Sequence, residues 1–122
     1  MRSPSKKALT KKLDKAWSEA VKYLAGYKCE VSGVAINLNS HHYISRNNRM
    51  LRWDPRNGVC VSAKHHMFGN KSFHKNPEWA HFWMEENRWE DLQYIVCNMN
   101  TIKKWTLEEM QDQLSYLLSL IK

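Results

Sequence analysis

The sequence predicts a small α+β fold, with helices at both ends around a short, strand-containing centre. Two observations carry the helices. Leu9, Leu13, Trp17, Val21 and Leu24 recur at helical spacing near one end, and Leu107, Met110, Leu114, Leu117, Leu118 and Ile121 do so near the other. A third sets the centre apart: residues 29–63 lose that period and are rich in Asn, Ser, Gly, Val and Ile, the composition of loops and short strands.

Taken in order, Ser3-Pro4 reads as an N-cap and first-turn proline, opening a helix over about residues 5–25 that stops near Gly26. Its lysines, Lys6, Lys7, Lys11, Lys12, Lys15 and Lys22, fall mostly off the apolar stripe. Residues 64–68 read as a short helix, and Asn76-Pro77 opens another that carries Trp79, Ala80, Phe82 and Trp83 to about Asn87. Residues 90–99 form a third, with Leu92, Ile95 and Val96 inside. Thr106-Leu107-Glu108-Glu109 is a capping box, placed to start the C-terminal helix. No repeat or low-complexity linker interrupts the chain. One domain over 1–122 is expected, made of a basic helix (1–28), the centre (29–76) and a helical C-terminal part (77–122).

Composition narrows the function classes. Of the 122 residues, 43% are hydrophobic and 25% charged, which argues for a folded chain. No apolar run approaches the ~20 residues of a membrane span. The start, MRSPSKKALTKK, is charged without an apolar stretch, so a secretory leader is not expected. Three cysteines, Cys29, Cys60 and Cys97, are an odd and widely spaced set. A disulfide framework is therefore not expected, and a reducing cytoplasmic compartment is the simplest reading. The net charge of +7 is unevenly spread: +6 over residues 1–28, +5 over 29–76 and −4 over 77–122. The first two thirds suit a polyanion such as a phosphate backbone. A solvated basic helix without a partner is the plainer alternative.

The strongest chemical signal is histidine. Five of the six, His41, His42, His65, His66 and His74, fall within residues 41–74. Neutral imidazole ligates metals and acts as a general base near neutral pH. On a strand His41 and His42 point to opposite faces, so they need not share a task. His65 and His74 read as packing or hydrogen-bonded side chains, His81 as core or surface, and Trp53 as a core anchor. For Arg49, Arg52 and Arg56 a solvated basic loop and a specific contact stand level.

Ser40-His41-His42-Tyr43-Ile44-Ser45-Arg46, then Leu51-Arg52-Trp53-Asp54-Pro55-Arg56-Asn57-Gly58-Val59, then Lys64-His65-His66, resembles an HNH endonuclease of the ββα-metal (His-Me finger) type. The order His, Asn, His is met by His42, Asn57 and His66. The flanking segments Lys11–Ser18 and Lys104–Met110 are similar to phage recombination endonucleases of the NinG/Rap sort. The resemblance implies a ββα-metal finger core flanked by helices, and a divalent-metal-dependent DNA endonuclease encoded by a phage or prophage. It implies action in recombination or DNA processing in the cytoplasm of an infected or lysogenic host, as a monomer or homodimer.

It assigns His42 as general base and Asn57 as the residue that fixes the finger loop and the base. His41 and His66 become metal ligands, with Asn70 or His74 as a third. One divalent ion is implied, Mg²⁺ or Mn²⁺ first and Zn²⁺ or Ni²⁺ next. Arg46 and Lys64, with Lys11, Lys12 and Lys15, are expected to contact DNA. Where related proteins hold a structural zinc, this chain has Cys29, Ser32, Ser62 and His65. Only Cys29 and His65 could still bind, so that zinc is expected to be absent. Cys60 then reads as a small buried strand residue. The rival reading is a nucleic-acid-binding module that keeps the finger but does not cleave.

Overall fold

A computed structural model describes residues 5–68 and 71–121. Its first helix, α1 (Lys6–Leu24), is capped by Ser5, whose side chain accepts the Ala8 N–H at 3.1 Å. The expected Ser3-Pro4 start lies outside the described residues. Leu9, Leu13, Ala16, Trp17, Ala20 and Val21 form the buried stripe, whereas Leu24 is exposed. Gly26, at φ +69°, takes the left-handed turn that ends the helix.

Strands β1 (Leu38–His42) and β2 (Gly58–Ser62) pair antiparallel, with His41 opposite Val59 and His42 opposite Gly58. All of β2 is buried, because the two-stranded sheet has a core on each face. Cys60 joins Leu13, Trp17, Val21, Trp53, Met110 and Leu117 in the cluster built on α1 and the C-terminal helix. Val59 and Val61 join Leu51, Phe73, Met84, Leu92 and Ile95 in the other. Trp53 and Cys60 are thus core residues, as their sequence contexts suggest.

A 3-10 turn at Pro55–Asn57 leads into β2, and one π-helical turn at Lys64–Phe68 follows it. Helix α2 (Pro77–Asn87) starts at Asn76, whose side chain accepts the Trp79 N–H. α3 (Trp89–Asn98) and α4 (Leu107–Leu120) complete the chain. Both halves of the Thr106–Glu109 capping box form. Phe82, Val96 and Leu118, placed within apolar helices by their spacing, are more than half exposed. Each helix here buries only a narrow seam. Cys29 and Cys60 are buried free thiols and Cys97 an exposed one. Among the described residues no helix is long and apolar enough to cross a membrane.

Candidate metal centre

Strand alternation sends His41 and His42 to different faces of the sheet. His41, 9% exposed, packs against Phe73 at 5.1 Å between ring centroids. His66 comes from the π-helical turn, and His74 from the loop that follows. That loop is pinned to the turn by two backbone bonds, Phe73 N–H to the His65 carbonyl (2.8 Å) and His74 N–H to the His66 carbonyl (3.1 Å). The result is a three-histidine cluster in which one nitrogen from each ring lies within 4.8 Å of the others. The Nε2 atoms of His66 and His74 are 3.2 Å apart. Two imidazoles on one tetrahedral ion at ~2.05 Å have their nitrogens about 3.3 Å apart, so this pair already has ligand spacing. With His41 as the third nitrogen, the cluster has the ligand atoms to hold a metal ion.

The electrostatics favour neutral rings at His41 and His66. Burial, reinforced by the neighbouring His66, His74 and His42, pushes His41 down to about 3. Burial and His74 lower His66. An imidazole held below its ordinary pKa keeps its ring lone pair free for a cation.

On the other face His42 stacks flat on Trp17, with centroids 3.7 Å apart and planes 5° apart. Gly58, opposite His42 in the register, makes this possible. A Cβ there would sit 2.3 Å from Val21 Cγ2 and 2.8 Å from Trp17 Cζ2. His42 Nε2 is 2.8 Å from the Arg52 carbonyl oxygen. A carbonyl only accepts, so Nε2 carries the proton and Nδ1 keeps its lone pair. Burial lowers the His42 pKa; the Arg52 carbonyl and Asp14 oppose that, while Arg52 and Arg46 add to it.

Asn57 is fully buried and closes the loop that starts after His42. Its Oδ1 accepts the Ile44 N–H (2.8 Å), and its Nδ2 donates to the carbonyls of Ile44 (2.9 Å) and Leu51 (3.3 Å). Its backbone carbonyl accepts the Tyr43 N–H at 2.9 Å. An amide side chain supplies the donor and acceptor this turn needs at one buried point.

The remaining predicted residues divide. Lys11, Lys12, Lys15, Arg46 and Lys64 are all exposed, with Lys64 on the π-helical turn beside His66. Asn70 lies outside the described residues, while His74, read from its context as a packing residue, sits in the cluster. Arg52 and Arg56 both make specific contacts, Arg56 while still exposed. Arg52 grips Asp14 through two bonds, and Arg56 pairs with Asp54 and lies over the Tyr94 ring at 3.2 Å. His81 is a surface residue bonded to Tyr43 and Glu85.

Where a structural zinc is expected to be absent, the Cys29 sulfur accepts the Ser32 N–H at 3.4 Å, and His65 is turned to the Lys71 carbonyl. Burial pushes the Cys29 thiol up, but hydrogen bonds from Ser32, Ser62 and Val31 outweigh it and hold it below its ordinary value. Sequence reasoning missed Asp14 and Trp17 as neighbours of His42. The available signal was an acid standing alone among the lysines of the first helical turns, three residues before an aromatic. No known protein family, curated protein or solved structure matches the chain.

Proposed function

We propose that this protein is a divalent-metal-dependent DNA endonuclease of the HNH, ββα-metal type. The observation that carries the reading is the end of β1. A three-histidine cluster lies on one side and an imidazole with a fixed tautomer on the other, beside a loop closed by a buried Asn57. The succession of β1, Asn57, β2 and a helical turn carrying His66 supports this reading. His41, His66 and His74 would hold a divalent ion, which would supply Lewis-acid stabilisation of the phosphate and of the leaving oxygen. His42 Nδ1 takes the proton of the attacking water, and the Arg52 carbonyl holds the ring while it does so. Asn57 fixes the loop that carries that carbonyl. Arg46 and Lys64 draw the scissile phosphate, and Lys11, Lys12 and Lys15 draw the flanking backbone.

Three imidazoles are a donor set for Zn²⁺ or Ni²⁺ ahead of oxygen-preferring Mg²⁺, and Mn²⁺ stands between. The flanking segments favour a phage or prophage enzyme of recombination or DNA processing. Supercoiled plasmid incubated with the protein and Zn²⁺, Ni²⁺, Mn²⁺ or Mg²⁺ should be nicked or linearised, and EDTA should abolish this. Plasmid retarded on a gel but uncut under every metal would replace the enzyme with a binding module.

A further inference from the structure

The ring of the proposed general base is held by a helix outside the finger. The Arg52 carbonyl that accepts from His42 belongs to a short segment, residues 51–54, in which every carbonyl oxygen has a partner. Leu51 accepts from Asn57 and from the Asp54 N–H, Trp53 from Gln113 Nε2 at 2.8 Å, and Asp54 from Trp17 Nε1 at 2.9 Å. Two of the clamps come from one face of α1. Asp14 accepts three hydrogen bonds from consecutive residues: Arg52 Nε (3.0 Å), Arg52 Nη2 (2.8 Å) and Trp53 Nε1 (2.8 Å). Trp17, three residues on and therefore on the same helix face, stacks on His42 and fastens Asp54.

We propose that Asp14 and Trp17 are positioning residues for His42: α1 fixes the Arg52 carbonyl from behind and the imidazole from its face, so the ring has one orientation. The catalytic consequence rests on the endonuclease reading, whereas the orientation itself does not. Asp14 accepts three donors at 21–35% side-chain exposure of the ion pair, where charge-assisted, bidentate geometry is worth more than an isolated surface pair. Its removal takes the acceptor from the Arg52 and Trp53 side chains and loosens the segment on its α1 side, while the bonds from Asn57, Gln113 and Trp17 remain. The basic helix thus has two edges: an outer one of lysines and an inner one that serves the site.

The test uses the whole chain, metal-free, with ¹⁵N-labelled histidine. NMR at about pH 8, where free imidazole is neutral, follows the His42 Nε2 proton. In the wild-type protein its exchange with water should be slow. Asp14→Ala should speed it on the order of tenfold, as a locally opened hydrogen bond does. Asp14→Asn, which keeps the shape and one acceptor oxygen, should lie between. In the cleavage assay Asp14→Ala should lower kcat about tenfold, in the range for removed orienting partners, with DNA Kd within about twofold because no phosphate-facing lysine has changed.

Unchanged exchange in a folded Asp14→Ala, or in Asp14→Asn if the alanine variant does not fold, overturns the proposal. That holds whether or not the protein cuts DNA. Faster exchange in a protein that cuts no DNA with any metal keeps the positioning role and discards the endonuclease reading. Faster exchange with unchanged kcat keeps the clamp but overturns its catalytic part.

Discussion

At the scale of single residues, the histidines divide by what faces them. His41 and His42 are neighbours in sequence, yet one lies against His66, His74 and Phe73 and the other against Trp17 and the Arg52 carbonyl. His66→Ala and His74→Ala should each weaken Zn²⁺ or Ni²⁺ binding in calorimetric titration by at least about tenfold, since either change leaves two of three imidazoles. Unchanged affinity in His74→Ala would return the third-ligand role to Asn70.

His41 also sets a pH dependence. Its folded pKa, about 3, lies below its ordinary value of 6.5, so between those values the unfolded chain binds the proton that the fold refuses. This contribution is complete above about 6.5 and is lost as pH falls toward 3. Urea unfolding of metal-free protein at a series of pH values should show stability falling through that window. His41→Asn should flatten the fall, because its amide does not titrate there.

At the scale of elements, the helices follow their sequence signals closely. The Thr106 capping box, the Asn76 cap and the Gly26 stop all form where local chemistry puts them, because a cap involves residues three or four apart. Exposure was less legible: Leu24, Phe82, Val96 and Leu118 sit on helices as read but outside the seams that neighbouring elements cover. The closest approach of α1 to the strand pair is at Gly58. Gly58→Ala must push aside Val21 and Trp17, both core side chains, and should cost about 1–3 kcal/mol, the usual penalty for overpacking. It should also disturb the Trp17–His42 stack. An unaltered denaturation midpoint would mean that α1 can slide off the strand freely.

At the scale of the whole molecule, the formal charge of +7 overstates some of the basic surface and not the rest. Arg52, Arg56 and Arg88 are paired with acids of the chain itself: Arg88 alone binds Glu30, Asp91 and the Gly58 carbonyl, tying the start of α3 to β2. Lys11, Lys12 and Lys15 of α1 and Lys64 on the turn beside the cluster stay exposed, and the proposed function assigns them to DNA. Replacing Lys11, Lys12 and Lys15 with Ala should weaken DNA binding and reduce the log–log salt slope by about 0.9 for each phosphate that is no longer neutralised. The unfolding free energy should barely change, since all three side chains are exposed. Normal binding by this variant across salt concentrations would move the DNA surface to Arg46 and Lys64.

By itself the sequence determined what depends on near neighbours. That includes where helices start and stop, the strand-bearing centre, the opposite facing of His41 and His42, and the concentration of imidazoles. Tertiary structure decided what depends on residues far apart. It brought His74 rather than a bystander to His66, spent Arg52 on Asp14 across 38 positions, and laid Trp17 on His42. Such partners follow from how α1, the strand pair and the loop after the π-helical turn pack together. Spacing along the chain carries no record of which side chains that packing will join.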